Sequence, residues 1–173
     1  MLFNSLSFVV FLAIVLALYY SKLFNWTFKK RMLLFSSYVF YGLWNPPLVI
    51  LLWISTVIDW ITGKELAVEQ NQHKRNMWLF LSMVVNLGFL FFFKYGNFLL
   101  ENFTLLMNAI GFDYHPRPMD IILPMGISFY TFQTMSYTID MYNRKGERAR
   151  TFLDFALYVT FFPQLVAGPI VRA

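Results

Sequence analysis

The segment 123–142 constrains the fold of this chain more than any other, because it is long and free of Lys and Arg, yet rich in polar side chains. Its length matches the roughly 20 residues that a helix needs to cross the hydrocarbon layer of a membrane. On a helical wheel its residues form two polar stripes and a narrow apolar arc. The first stripe holds Gly126, Tyr130, Gln133, Tyr137 and Asp140, the second holds Thr131, Thr134 and Thr138, and the arc holds Phe129, Phe132 and Ile139. Because unpaired polar groups are costly in lipid, this pattern predicts a helix that faces protein or a wet cavity over most of its surface.

The segment 151–172 that follows is apolar but interrupted. Thr151 and Asp154 have the spacing of a capping box, which predicts that a helix begins there. Pro163 has no N–H and its ring clashes with the preceding turn, and Gly168-Pro169 interrupts the segment again. A broken backbone at membrane depth is tolerated only where protein or water satisfies the freed groups. We therefore expect the two segments to meet at an internal cavity, although a packing kink explains the prolines equally well.

Composition places the chain among integral membrane proteins. It is 58% apolar and 13% charged, whereas soluble domains are about 45–50% apolar and about 25% charged. There is no cysteine, which excludes disulfides and cysteine metal sites. The net charge of +5 is carried by residues between the apolar runs, so we interpret them as topology determinants and expect no nucleic-acid partner. The predicted fold class is all-α, a polytopic integral membrane helical protein embedded in a lipid bilayer.

Hydropathy divides the chain into six predicted spans and one amphipathic helix. The spans are 3–21, 32–43, 48–62, 77–93, 123–142 and 152–172. The amphipathic segment 97–110 is expected to lie in the membrane interface rather than to cross. Two interpretations of 32–62 compete: a helical hairpin with its tip at Trp44-Asn45, which we favour, and one span with a re-entrant piece.

Charge asymmetry orients this arrangement. The segments 22–31, 64–75 and 144–150 hold four, three and four basic residues, which makes 11 of the 14 in the chain. The positive-inside rule then places these segments in the cytoplasm and the N-terminus outside. We expect the chain to lie in a cytoplasmic (inner) membrane.

Several conspicuous residues also have ordinary explanations. Neither His73 nor His115 has a metal-ligand spacing, so we expect no metal site and interpret both as loop residues. Asp59, near the end of a span, is interpreted as interfacial. Asp140 is expected either to pair with Arg144 one turn later or to face the cavity. For Gln133, mid-span, a helix–helix hydrogen bond and contact with a cofactor or substrate both remain open. For the structural motif residues Pro163, Gly168 and Pro169 the ordinary explanation is a packing kink.

Two stretches resemble a known family. The segment 123–142 and the sequence Phe-Phe-Pro-Gln-Leu-Val-Ala-Gly-Pro-Ile at 161–170 are similar to the membrane-bound O-acyltransferases. The similarity is greatest to the branch of the alginate O-acetylation membrane protein, and the membrane protein of teichoic-acid D-alanylation is a close relative. The resemblance identifies 1–173 as the N-terminal part of one transmembrane acyltransferase domain.

The resemblance implies transfer of an acyl group, expected to be acetyl, to hydroxyls of an exported polysaccharide such as alginate. The acyl donor, a thioester or an acyl carrier, would be a cytoplasmic substrate, and no tightly bound cofactor is expected. The acceptor would be the polysaccharide itself or an extracytoplasmic acetyltransferase partner protein. The residues expected to line the tunnel between the two faces are Tyr130, Gln133, Tyr137, Gln164 and Arg172.

The catalytic histidine of the family lies beyond the Gly-Pro-Ile motif, so we expect no catalytic residue in this segment and no activity from it alone. D-alanyl transfer to teichoic acid, and acetylation of another cell-wall polymer, are the alternatives. A non-enzymatic transport or scaffold subunit is the alternative of a different class.

Overall fold

The computed structural model describes residues 5–124 and 126–167, and these residues form helices and loops without a strand. The helical fold class expected from the sequence is therefore confirmed. The helices are α1 (Leu6–Tyr20), α2 (Trp26–Gly42), α3 (Pro46–Val68), α4 (Gln72–Ala109), α5 (Ile127–Tyr142), α6 (Phe152–Thr160) and α7 (Phe162–Ala167).

Local sequence signals explain where most of these helices begin. Ser5, Asn25, Asn71 and Thr151 each accept a backbone hydrogen bond from the first turn of the helix that follows. Such N-cap side chains satisfy donors that a helix start leaves free. The helix α3 begins at Pro46-Pro47 instead, where a missing N–H costs nothing. The break expected in 32–62 coincides with the turn between α2 and α3.

Two stretches that separate the predicted segments are largely helical. Residues 63–76 lie between the predicted spans 48–62 and 77–93, but α3 continues to Val68 and α4 begins at Gln72. The polar residues in this stretch, such as Lys64 and Glu65, are good helix formers, so a helix can continue beyond the end of its apolar run. Residues 94–96, between the predicted span 77–93 and the segment 97–110, also lie within α4, because a lone Gly96 costs only about 1 kcal/mol in a helix interior.

The helix α4 is consequently longer than a membrane is thick. Its 38 residues span about 57 Å at 1.5 Å per residue, against about 40–45 Å for a bilayer with its headgroups. Residues 72–90 pack on α3 and α5, whereas no residue from 97 to 109 is buried. Asn97 exchanges two hydrogen bonds with the backbone of Met119, so the loop after α4 runs back along it. An interfacial position of 97–110 stays a prediction.

The helices α3, α4 and α5 form the centre of the bundle, and α6 and α7 pack between α2 and this centre. At one end, Lys30 at the start of α2 pairs with Asp154 at the start of α6, with 2.5 Å between Nζ and Oδ1. At the same end, Arg75 at the start of α4 contacts the last carbonyls of α3 and α5. We name this the basic end, because the three basic segments of the sequence meet there.

The surface is as apolar as the composition suggests. Exposed large hydrophobic side chains cover α1 and α4, including Val9, Ile14, Phe80, Val84 and Phe91. Two helices, Pro46–Val68 and Gln72–Ala109, are long and apolar enough to cross a bilayer, and Leu6–Tyr20 is a shorter apolar helix. These features are those of a membrane protein, in which lipid covers an apolar exterior.

Candidate functional site

The helix α5 carries three of the residues that the sequence assigned to a tunnel, and all three are buried. Tyr130, Gln133 and Tyr137 have at most 3% of their surface exposed, and each lies among side chains of neighbouring helices. The prediction that 123–142 faces protein over most of its surface agrees with this burial, since Thr131, Thr134 and Thr138 are buried as well. Their role towards a substrate stays a prediction.

The break between α6 and α7 is satisfied by two polar side chains. The helix α6 ends at Thr160, because a proline at 163 cannot donate a hydrogen bond to Val159. The N–H of Phe162 donates to Ser37 Oγ of α2 at 3.2 Å. Gln133 Nε2 of α5 donates to the carbonyl of Tyr158, in the last turn of α6, at 2.7 Å. Gln133 therefore makes the helix–helix hydrogen bond that was one of its two interpretations.

A buried polar cluster centred on Asp59 joins α3, α4 and α5. Asp59 accepts hydrogen bonds from Ser82 Oγ at 2.5 Å and from Asn86 Nδ2 at 2.8 and 3.0 Å. Asn86 Oδ1 accepts from Ser55 Oγ at 2.6 Å and from Thr134 Oγ1 at 3.2 Å. The side-chain amide of Asn86 therefore donates through its nitrogen to the Asp59 carboxylate and accepts through its oxygen from the hydroxyls of Ser55 and Thr134.

The interfacial interpretation of Asp59 is wrong, since its side chain is 0% exposed. The spacing of polar residues in the sequence predicts this cluster. Ser55 and Asp59 are spaced by four residues on α3, as are Ser82 and Asn86 on α4. Such spacing puts both members of a pair on one helix face. Two apolar helices that each carry one polar face favour contact between those faces, because lipid cannot satisfy them.

Other buried hydroxyls on α5 lack a partner. In the described part of the chain, the hydroxyls of Tyr130 and Thr131 are fully enclosed and make no hydrogen bond, and the same is true of Thr62 on α3. A buried polar group without a partner is uncommon in a native protein and calls for a ligand, a water molecule or a further protein group. The two orphan hydroxyls on α5 lie near the start of that helix, and such a partner would lie there.

At the basic end, Arg75 holds the bundle together through backbone carbonyls. Its Nη1 donates to the carbonyls of Leu66 and Glu69 at 2.6 and 3.0 Å, and its Nη2 to those of Met141 and Tyr142 at 3.3 and 2.5 Å. The side chain is nearly fully buried. The last carbonyls of a helix have no partner within it, and they form the negative end of its dipole. One guanidinium therefore caps both α3 and α5.

A pocket of about 290 Å³ lies beside Arg75. Its lining includes Leu66, Glu69, Gln70, Arg75, Arg144 and Arg148. Arg144 donates from Nη2 to Gln70 Oε1 at 3.0 Å, in the loop between α3 and α4, whereas one of the two interpretations of Asp140 had paired Arg144 with that carboxylate. Arg148 lies over the ring of Trp60, with 5.8 Å from Cζ to the ring centroid.

The remaining candidates lie apart. Gln164 is half-buried in α7, and Pro163 is the second residue of that helix. Arg172, Gly168 and Pro169 lie outside the described residues. His73 is exposed in the first turn of α4, and His115 is exposed beside Asp113 in the loop after α4. Nowhere in the described ranges do three His, Cys, Asp or Glu side chains come together in a way that could hold a metal ion.

Curated relatives match almost the whole chain. It is 37% identical, over 99% of its length, to proteins of Pseudomonas syringae pv. tomato and Pseudomonas aeruginosa that are both named probable alginate O-acetylase AlgI. It is 34% identical over 86% of its length to the peptidoglycan O-acetyltransferase of Helicobacter pylori. The chain spans about one third of the length of each of these relatives: 33%, 33% and 32%. No protein-family model and no solved structure matches it.

These similarities confirm the resemblance to the alginate O-acetylation branch that the two motifs of the sequence indicated.

Proposed function

We propose that the full-length protein is a membrane O-acetyltransferase that transfers acetyl groups to hydroxyls of an exported polysaccharide, with alginate as the first choice. The observation that carries this proposal is the similarity to alginate O-acetylases along almost the entire chain. The apolar exterior supports a membrane location for the reaction. The polar centre of the bundle supports a protein that does more than anchor, because buried polar residues in membrane segments are costly and are typical of functional sites.

A second candidate acceptor is peptidoglycan. It is favoured by the relative in Helicobacter pylori, which carries that activity in its name and aligns over 172 residues. Both acceptors are polysaccharides on the outer side of the membrane, so the acyl transfer is the same and only the recognised polymer differs. Acetylation through an extracytoplasmic acetyltransferase partner would use the same membrane step.

In this proposal the donor binds from the cytoplasm as an acyl thioester and is a substrate, with no tightly bound cofactor. A histidine of the full-length protein, outside residues 1–173, would act as general base on the accepting hydroxyl. The histidine nitrogen and the hydroxyl oxygen must then lie about 3 Å apart. This chain would contribute the wall of the tunnel, through Tyr130, Gln133, Tyr137, Gln164 and Arg172. The orphan hydroxyl of Tyr130 supports that assignment, since it can donate to a substrate without losing a protein partner.

The proposed orientation has the basic end in the cytoplasm, the N-terminus outside and the bacterial inner membrane as the location. It is supported by the meeting of the three basic segments at one end of the bundle. The chain has no cysteine, so single cysteines can report on topology. We expect a membrane-impermeant maleimide to label Asn45→Cys but not Gly146→Cys in intact cells. Labelling of Gly146→Cys without permeabilisation would refute the orientation.

The activity is tested by deleting the gene and restoring it on a plasmid. We expect the exported polymer of the deletion strain to lose its ester-linked acetate, measured as acetate released by mild alkali, and the plasmid to restore it. Release of D-alanine instead would identify D-alanyl transfer. A deletion strain with unchanged esters on both alginate-type polymers and peptidoglycan would contradict the acyltransferase function and leave a scaffold or transport role.

A further inference from the structure

The pocket at the basic end has the chemistry of a site for a phosphate group. Its volume of about 290 Å³ is near the lower limit of ligand pockets, which start at about 300 Å³. Three arginines line it, and arginine is the residue best suited to phosphate because its planar fork of donors matches the oxygens. Whether the pocket can bind a phosphate depends on which N–H groups of the three arginines are not already used in hydrogen bonds to the protein.

Arg75 is already used. Both of its terminal nitrogens donate to two carbonyls each, so its donors are directed at protein. Its charge nevertheless matters for the pocket. The ends of α3 and α5 would otherwise present a row of carbonyl oxygens, which repel an anion. Arg75 is therefore a positioning residue, because its charge neutralises the partial negative charge of the carbonyl oxygens at the ends of α3 and α5.

Arg144 and Arg148 keep donors for a ligand. A guanidinium has five N–H donors, and Arg144 donates to the uncharged amide of Gln70, while Arg148 contacts the face of Trp60. The ion pairs of the described residues join Lys30 to Asp154, Lys74 to Glu69 and His115 to Asp113, and include neither arginine. Both guanidinium groups thus contact uncharged partners, and neither takes part in an ion pair among the described residues.

Arg144 has an unfavourable backbone conformation for a residue with a side chain. Arg144 has φ of +56° and is the only non-glycine residue with positive φ among those described. It occupies the position just past the end of α5 in a Schellman motif, in which Lys145 N–H donates to the Asp140 carbonyl at 2.9 Å and Arg144 N–H to that of Met141 at 3.2 Å. Glycine is the usual residue there, since a left-handed conformation costs other residues about 1–2 kcal/mol.

Glu69 is the one acidic residue that lines the pocket, and its charge opposes an anion. The hydrogen bond from the N–H of Asn71 lowers the pKa of this carboxyl, so it is ionised at neutral pH. It also accepts from the N–H of Gln70 and pairs with Lys74 at 3.6 Å. Its charge is partly balanced by these groups.

We propose that this pocket binds a phosphate group through Arg144 and Arg148, and that the phosphate belongs to the acyl donor. Soluble thioester donors and acyl carriers both hold the thioester on an arm that ends in a phosphate. The assignment to the donor rests on the proposed function; the phosphate site itself does not. An anionic phospholipid headgroup offers the same chemistry, and the experiment separates the two sources.

The test compares two ligands that differ only in the phosphate: 4′-phosphopantetheine and pantetheine. Their affinities for the full-length protein in neutral detergent are measured by calorimetry. We expect phosphopantetheine to bind at least tenfold more tightly. This preference should disappear in Arg144→Gly and Arg148→Gln and survive in Lys145→Gln. Lys145→Gln removes the same charge from the adjacent exposed residue, which does not line the pocket.

Arg144→Gly is also a variant that we expect to fold. Glycine fits the left-handed position better than arginine, so thermal stability should stay equal or rise while the phosphate preference is lost. In a second arm, Glu69→Gln should tighten phosphopantetheine binding by removing a negative charge from the lining.

The outcomes are distinct. Equal affinities for the two ligands in the wild type, together with no enrichment of anionic lipid in nanodiscs, would overturn the phosphate site. The same loss of preference in Lys145→Gln would overturn it as well. In nanodiscs of phosphatidylcholine with 20% phosphatidylglycerol, an Arg144-dependent enrichment of the anionic lipid would support the site and assign the phosphate to a headgroup. Phosphate binding without polymer acetylation in the deletion assay would refute the proposed function and keep the site, whereas acetylation with no phosphate binding in either arm would do the reverse.

Discussion

Two polar regions along α5 differ in how their hydrogen bonds are completed. In one, Thr134 meets the cluster of Asp59 and Asn86, in which every amide and carboxyl group has a partner on another helix. In the other, about one turn nearer the start of α5, the hydroxyls of Tyr130 and Thr131 are equally enclosed and have no partner in the described structure. The first region is explained by folding alone, because its groups satisfy one another. The second is explained only by a partner, and is therefore where we look for function.

The largest effect is expected from Asn86→Leu, which removes the centre of the complete cluster. Asp59 would lose its two hydrogen bonds from Asn86 Nδ2, and Ser55 and Thr134 would lose the Asn86 Oδ1 acceptor, so we expect the free energy of unfolding to fall by about 3 kcal/mol. It can be measured in detergent micelles on the full-length protein. Asn102→Leu is the matched control on the same helix, since Asn102 is exposed and donates only to the carbonyl of Phe98. Equal effects of the two changes would show that the cluster does not stabilise the fold.

Arg75→Gln tests whether the buried carbonyl groups at the basic end also depend on a protein partner for their hydrogen bonds. The shorter amide cannot reach carbonyls on both α3 and α5, so buried acceptors become unsatisfied and we expect a loss of about 2 kcal/mol. The neighbouring Lys74→Gln removes only an exposed pair with Glu69 and should cost less than about 0.5 kcal/mol. Thermal unfolding of both variants at two salt concentrations distinguishes the buried role from surface charge. A salt-dependent loss at Arg75 would contradict it.

Gly63→Ala probes the packing around Tyr137, whose ring lies against α3. A Cβ at Gly63 would lie 2.5 Å from Tyr137 Cε1, whereas a Cβ at Gly88 would meet nothing within 4 Å. We expect Gly63→Ala to cost about 1–3 kcal/mol through overpacking, and Gly88→Ala to stabilise by up to about 1 kcal/mol through helix propensity.

The double variant Gly63→Ala/Tyr137→Leu provides the check on this contact. Removing the ring should relieve the clash, so the two changes should be clearly non-additive in a double-mutant cycle. Additive effects would mean that Tyr137 does not rest on Gly63.

The smallest effect on stability is expected from Tyr130→Phe. The hydroxyl has no partner among the described residues, so the free energy of unfolding should change by no more than about 0.5 kcal/mol. Polymer acetylation by the full-length protein should fall if the hydroxyl meets a substrate. Ser82→Ala is the contrasting change, since its hydroxyl donates to Asp59. It should lower stability by about 1 kcal/mol and leave acetylation per folded molecule unchanged. Full activity of Tyr130→Phe would remove Tyr130 from the tunnel assignment.

Much of the helical layout could be predicted from the sequence, because its signals are local. The capping spacing of Thr151 and Asp154 predicted the start of α6, and Thr151 Oγ1 does accept from the N–H of Asp154. Pro163 predicted the break that ends α6. The missed features were helix ends at charged residues: Lys64 and Lys94 both continue a helix, since charge limits burial in lipid but does not limit helix formation.

The candidate sites were harder to predict, because they depend on pairs of residues far apart in the chain. The sequence by itself determined the helical class, the polar face of 123–142, the break at Pro163 and the collection of basic segments at one end, since periodicity, caps, prolines and charge distribution act over a few residues. Only the tertiary structure decided that Asp59 is buried against Asn86, that Arg75 caps α3 and α5, and that Arg144 turns towards Gln70. Each of these contacts joins residues that only helix packing brings together, and a polar side chain has no preference between partners until packing excludes water and lipid from it.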